Sequence, residues 1–112
     1  MELIDTHLLP SLEKLPGWHG KLIHAQSMTF AHWDFDQGAQ IHAHSHEQEE
    51  VWHVLEGELE AVVDGETHVA VPGMVLILPP HQDHAITART AGKAIVADHP
   101  SRRDFGATVQ GD

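Results

Sequence analysis

The chain has no cysteine, and that absence removes a large part of protein chemistry at once. Without thiols there is no disulfide, no thiolate nucleophile and no soft sulfur ligand set, so any metal must be held by His, Asp and Glu. Long apolar runs are also missing. No stretch reaches the roughly 18 residues that span a bilayer, and no basic segment leads into an apolar one as in a signal peptide. No membrane partner is expected, and the cytoplasm is the default location. Basic residues are scarce as well: six Lys and Arg stand against seventeen Asp and Glu, for a formal net charge of −11 in 112 residues. Such a surface repels phosphate backbones, so nucleic acid is not an expected partner. Eight of the acids fall between Glu47 and Glu66, where they read as a solvated strand face and a charged edge that discourages aggregation.

What is present is histidine, twelve in all, and a repeating strand pattern. The length suits one domain with a single core. Residues 5–20 hold two prolines, two glycines and a weak helical spacing of Leu8, Leu9, Leu12 and Leu15. They read as an N-terminal arm (1–20) with one short helical turn, ahead of a single domain over 21–112. From Lys21 onward, short alternating or apolar runs separated by turn residues predict an all-β, antiparallel fold. Strands are expected near 21–25, 27–35, 39–43, 50–56, 58–63, 66–71, 74–78, 83–89 and 93–98. Asp64-Gly65 is a two-residue hairpin signal, because both positions tolerate positive φ; Gly57 and Pro72-Gly73 supply further turns. Closing such strands into a barrel or jelly roll removes exposed edges.

Two histidine-bearing segments stand out: Gly38-x5-His44-x-His46-x3-Glu50-x6-Gly57 and Gly73-x5-Pro79-x4-His84. Imidazole nitrogen and carboxylate oxygen together suit a borderline divalent ion such as Fe, Mn, Ni, Zn or Cu. Side chains two apart on a strand share a face. On that parity His42, His44 and His46 belong together, as do Glu50, Trp52 and Val54, and His84, Ile86 and Ala88. The expectation is an apolar lumen around a small polar centre, the usual character of a small-ligand pocket. Trp52, Val54 and Ile86 would form its wall, and His42 would be the candidate for proton transfer. Arg89 or Arg102, two of the three arginines with Arg103, would hold a substrate carboxylate bidentately.

The paired segments resemble the two signature motifs of the cupin superfamily. That resemblance implies a cupin-type antiparallel β-barrel, or double-stranded β-helix, with one divalent ion held by His44, His46, Glu50 and His84. Two positions of a six-coordinate ion would stay open for substrate, as catalysis requires. The implied function is a metal-dependent dioxygenase, isomerase or lyase acting on a sugar acid or hydroxy acid. The alternative is a non-catalytic cupin that binds or senses a small molecule. A homodimer is also expected, since the apolar arm otherwise lacks cover and small cupins are commonly dimers. Two positions depart from the family pattern, His81 where glycine is frequent and Ala88 where asparagine is. A narrower likeness, carried by HSHEQEEVWHVLEGELEAVVDGE and the tail HPSRRDF, is to small cupins similar to the pectin-degradation protein that opens unsaturated uronate rings. The third ligand in that group is often glutamine, where Glu50 stands here.

Overall fold

A computed structural model describes residues 1–102. Arg103, and the end of the expected domain from 103 to 112, lie outside the described residues.

Alternation of large apolar and polar side chains gives ten strands, and no α-helix is found among the described residues. The strands are β1 (Leu12–Leu15), β2 (Trp18–His24), β3 (Thr29–Phe35), β4 (Gln40–His44), β5 (Glu49–Glu56), β6 (Leu59–Val63), β7 (Glu66–Ala70), β8 (Val75–Leu78), β9 (His84–Ala88) and β10 (Gly92–His99). They form a six-stranded sheet in the order β1-β2-β3-β10-β5-β8 and a four-stranded sheet in the order β4-β9-β6-β7, with antiparallel neighbours throughout. The chain crosses between the sheets several times, as in a jelly roll. Closure into a full barrel is not reached among the described residues: no ladder joins β7 to β8. An apolar cleft of about 300 Å³ opens on that side, walled by Ala61, Val63, Ala70, Leu76 and Leu78.

The expected arm is shorter than the sequence suggests. A single 3₁₀ turn (Thr6–Leu8) is capped by the Asp5 side chain, and the chain then enters β1, which pairs with β2. Leu12 and Leu15 are thereby half-buried, and Leu15 packs against the core. Trp18 and Gly20, counted within the arm, are fully part of the sheet. Local Pro and Gly content hid this strand, because Pro16-Gly17 is the tight turn that reverses it.

The inner faces carry strict two-residue periodicity. In β3, Thr29, Ala31, Trp33 and Phe35 are buried, and in β10 Ala94, Val96 and Asp98 are. Trp18 packs edge-on against Trp33 and Trp52, at centroid distances of 6.2 and 5.9 Å, and tilts against Phe35. Such aromatic pairs add to the transfer energy of the area they bury. This cluster fills one end of the space between the sheets and leaves the other to the histidines. The hairpin at Asp64-Gly65 forms as expected, both residues having positive φ (50° and 80°).

Candidate metal centre

Three strands and one connection deliver the motif residues to one place. His44 ends β4 and pairs across the ladder with His84, the first residue of β9. Glu50 lies on the facing sheet, in β5, and His46 sits in the connection between them. His44, His46 and His84 present ring nitrogens that all lie within 4.8 Å of one another. His44 and His84 have ring centroids 4.4 Å apart; His46 is 5.4 and 5.1 Å from them.

Each of these imidazoles is pinned from behind by a main-chain carbonyl. Nδ1 of His44 donates to the His42 oxygen at 2.9 Å, Nδ1 of His46 to the Gln48 oxygen at 3.1 Å, and Nδ1 of His84 to the Gln82 oxygen at 2.9 Å. A carbonyl only accepts, so Nδ1 carries the proton and Nε2 is left as the basic, ligating nitrogen. Nε2 of His46 and of His84 are buried and have no hydrogen-bond partner. Each is 3.5 Å from a Glu50 oxygen, beyond ordinary N–H···O range. Buried polar atoms are rarely left so, and here the pattern fits an ion held between the rings. The donor set also fits the ions expected from three imidazoles and a carboxylate.

Glu50 is the electrostatic hinge of the site. It is almost wholly buried, and loss of water works to raise its pKa. His46, His84, Asp98 and the Trp52 indole outweigh that and hold the carboxyl well below the ordinary carboxylate range. Trp52 Nε1 donates to Oε1 at 2.8 Å. Burial pushes His84 down, but the Glu50 carboxylate and the Gln82 carbonyl together leave it raised. The free space among Trp33, Ile41, His44, Glu50, Trp52, His84, Ile86, Val96 and Arg102 is about 20 Å³, room for an ion or a water-sized group.

Several expectations need correction. The parity that grouped His42 with His44 fails, because the β4–β9 register shifts between Ile41 and His44. The irregularity turns Ile41 toward the cavity and leaves the His42 ring exposed, 6.1 Å from that of His44 and outside the cavity wall. What His42 gives the centre is its carbonyl. Trp52 and Ile86 line the cavity as expected, whereas Val54 is buried deeper in the core. Arg89 follows the last residue of β9, at the end of the strand away from His84, and is exposed. Arg102 is the arginine in the wall, 7% exposed, with Nη1 3.4 Å from Glu50 Oε2. Asp98, 1% exposed and the cross-strand partner of Glu50, was missed. The signal was present in the sequence: an acid continuing the inward alternation of Ala94 and Val96. His81 adopts positive φ (66°) where glycine is frequent in the family, and its N–H donates to the His46 carbonyl at 2.7 Å. The turn therefore keeps its shape with the bulkier residue.

Two facing antiparallel sheets with a histidine-rich centre at one end define a jelly-roll protein whose clustered His and Glu side chains could hold an ion. The cupin domain family matches residues 31–99, and the chain belongs to the cupins. Among solved structures, an RmlC-like cupin from Shewanella frigidimarina is 27% identical with a TM-score of 0.86, covering 94% of this chain and 96% of its own. KdgF from Halomonas sp. is 24% identical (TM-score 0.85; 94% and 98% covered), and ectoine synthase from P. lautus is 20% identical (TM-score 0.83; 99% and 85% covered). At those identities the last two speak for the fold alone. No curated protein matches the chain.

Proposed function

We propose that the chain is a metal-dependent cupin enzyme. His44, His46, His84 and Glu50 hold one divalent ion, and the substrate is a small, oxygen-bearing anion such as a sugar acid or hydroxy acid. The observation that carries this reading is the set of three imidazoles pinned at Nδ1 and converging through Nε2, two of which lack any other buried partner. When bound, the ion supplies Lewis-acid polarisation of a substrate oxygen.

The chain's own residues do the rest. Trp52 fixes Glu50 through its indole N–H, and Trp33, Ile41, Ile86 and Val96 exclude water from around the ligands. Arg102 adds a positive wall that favours an anionic end. Because the cavity is about 20 Å³, only the reacting end of a substrate enters it, and the body stays toward the open rim. The exposed His42 ring, 6.1 Å from that of His44, is a base available for proton exchange with solvent. The likeness of residues 44–66 and of the tail from His99 to the uronate-opening cupins supports uronates as the first candidates to assay. A homodimer in the cytoplasm completes the reading.

The test is elemental analysis of the purified protein, then assay of uronates, hydroxy acids and aromatic diols with Fe(II), Mn(II), Ni(II) and Zn(II) added in turn. Stoichiometric metal with turnover of one class is the expected result. His46→Ala and His84→Ala should each lose the metal and keep the β-sheet circular dichroism spectrum. Unchanged metal content in the double variant His44→Ala/His84→Ala sinks the assignment. Metal without any turnover or thermal shift favours the non-catalytic binding cupin.

A further inference from the structure

Eight of the ten large apolar side chains that stand exposed among the described residues fall in two places. Four belong to the N-terminal segment: Met1, Leu3, Ile4 and Leu8, with Leu3 90% exposed. The other four, Val69, Met74, Val75 and Ile77, line the apolar cleft between β7 and β8. Clustered exposed apolar side chains mark interaction sites more often than scattered ones do. None of the residues lining the cleft is Asp or Glu, although the chain carries seventeen acids. β7 and β8 are the end strands of their sheets among the described residues. An extended apolar segment can add to such an edge by main-chain hydrogen bonds and set alternate side chains into the cleft. Residues 1–5, which precede the 3₁₀ turn, form neither helix nor strand and supply a segment of that kind.

The chain does not reach its own cleft with this segment. The Thr6 carbonyl accepts from Lys21 Nζ at 2.9 Å, which ties the 3₁₀ turn to β2, and β2 is four strands away from β8 in the sheet. That separation is roughly 19 Å, and the cleft lies beyond β8. Leu3 is three residues before Thr6, at most about 11 Å of extended chain. A second copy meets the requirement. When two six-stranded sheets pack outer face to outer face about a two-fold axis parallel to the strands, strand order is reversed between them. The β1–β2 side of each copy then lies over the β8 edge of the other, and the two contacts are equivalent. Val75 and Ile77 belong both to the apolar outer face and to the cleft wall, so the two surfaces are continuous. Resting on the homodimer reading above, we propose that the β7–β8 cleft is the seat for the N-terminal segment of a second copy, anchored by Leu3 and Ile4. The cleft wall also borders the metal centre: Val63 is the cross-strand partner of His84, and Leu78 that of Glu50. Each seated segment thus covers the open side of the sandwich next to two of the ligands.

Because the chain has no cysteine, introduced thiols report the seating directly. Leu3→Cys/Val69→Cys is treated with a short bis-maleimide at micromolar concentration and run on a denaturing gel. Val69 lies on β7, in the sheet opposite the dimer face, so only a segment that enters the cleft comes near it. The expected product is a covalent dimer. Each single variant should stay at the mass of one chain, since the two-fold axis holds the two N-terminal segments at opposite edges. Leu3→Cys/Val62→Cys should stay there too, because Val62 is exposed away from the cleft. Leu3→Asp/Ile4→Asp should raise the dimer dissociation constant by about 10-fold or more, as expected when buried anchors are lost from an interface. These side chains are exposed in the single chain, Ile4 at 38%, so the substitutions leave its core untouched. A wild-type dimer in which Leu3→Cys/Val69→Cys gives no link between copies, or links only within one chain, overturns the proposal and leaves the homodimer standing. So does an unchanged dissociation constant for Leu3→Asp/Ile4→Asp. A wild type that light scattering shows to be monomeric overturns the homodimer reading and this proposal with it.

Discussion

An imidazole Nε2 that awaits an ion also awaits a proton, and the two compete for one lone pair. His84 is held above its ordinary pKa by Glu50, so in the ion-free protein that competition starts at higher pH than for a free histidine. Affinity for Zn(II) or Mn(II) should therefore fall steadily as pH drops from about 8 to about 5. Calorimetry across that range checks it, and a flat profile would argue against histidine ligation. A second histidine acts on the fold instead. His19 is raised above its ordinary value of 6.5, chiefly by its hydrogen bond to Asp36 at 3.1 Å, and also contacts Glu13 at 3.6 Å on β1. A raised pKa means the contribution is full below 6.5 and lost as pH climbs through the higher folded value. His19→Ala should thus lower the melting temperature at about pH 5.5 and leave it unchanged at about pH 8.5. The shift will be small because the pair is largely solvated.

At the scale of elements, two glycines set how closely strands approach. Gly20 on β2 lies beneath Trp33, its cross-strand partner; a Cβ there would stand 2.2 Å from the ring, which is itself held by Trp18. Gly57, at φ 78°, turns β5 toward β6 with the Ala91 carbonyl 2.3 Å from where a Cβ would be. Gly20→Ala should cost about 1–3 kcal/mol of stability by overpacking. Gly57→Ala should cost more, since backbone strain adds to the clash. Urea denaturation of the two variants against wild type measures both. Gly65, by contrast, has nothing near its Cβ position, so Gly65→Asn should be nearly neutral despite its positive φ.

For the whole molecule, the outer face of the six-stranded sheet bears on assembly. Ile23, Phe30, Ala97, Val51 and Ile77 fall in one cross-strand row, and Ile95 and Val75 in the next. None of these positions carries an acid, in a chain of net charge −11. Two such chains repel least where they meet on this face. Light scattering at micromolar concentration should give twice the 12.4 kDa chain mass, and Ile77→Glu, at a position 58% exposed, should shift it to the monomer. A wild-type monomer would end the dimer reading.

Much of this protein was legible from its residues. Alternation gave the β class and most strands, Asp64-Gly65 gave its hairpin, and the fixed offsets of His44, His46, Glu50 and His84 marked the residues that the fold assembles into one site. These are local properties: period two, turn chemistry and motif spacing are written within a few residues of one another. What required the tertiary structure was each feature set by register or by long-range contact. The shift in β4 separated His42 from the cavity, the open β7–β8 side replaced a closed barrel, and β1 formed because β2 was there to pair with it. Asp98 and Arg102 join Glu50 from 48 and 52 residues away, by strand pairing and by the turn after β10. No pattern near Glu50 encodes them, because their place depends on which strand lies beside β5.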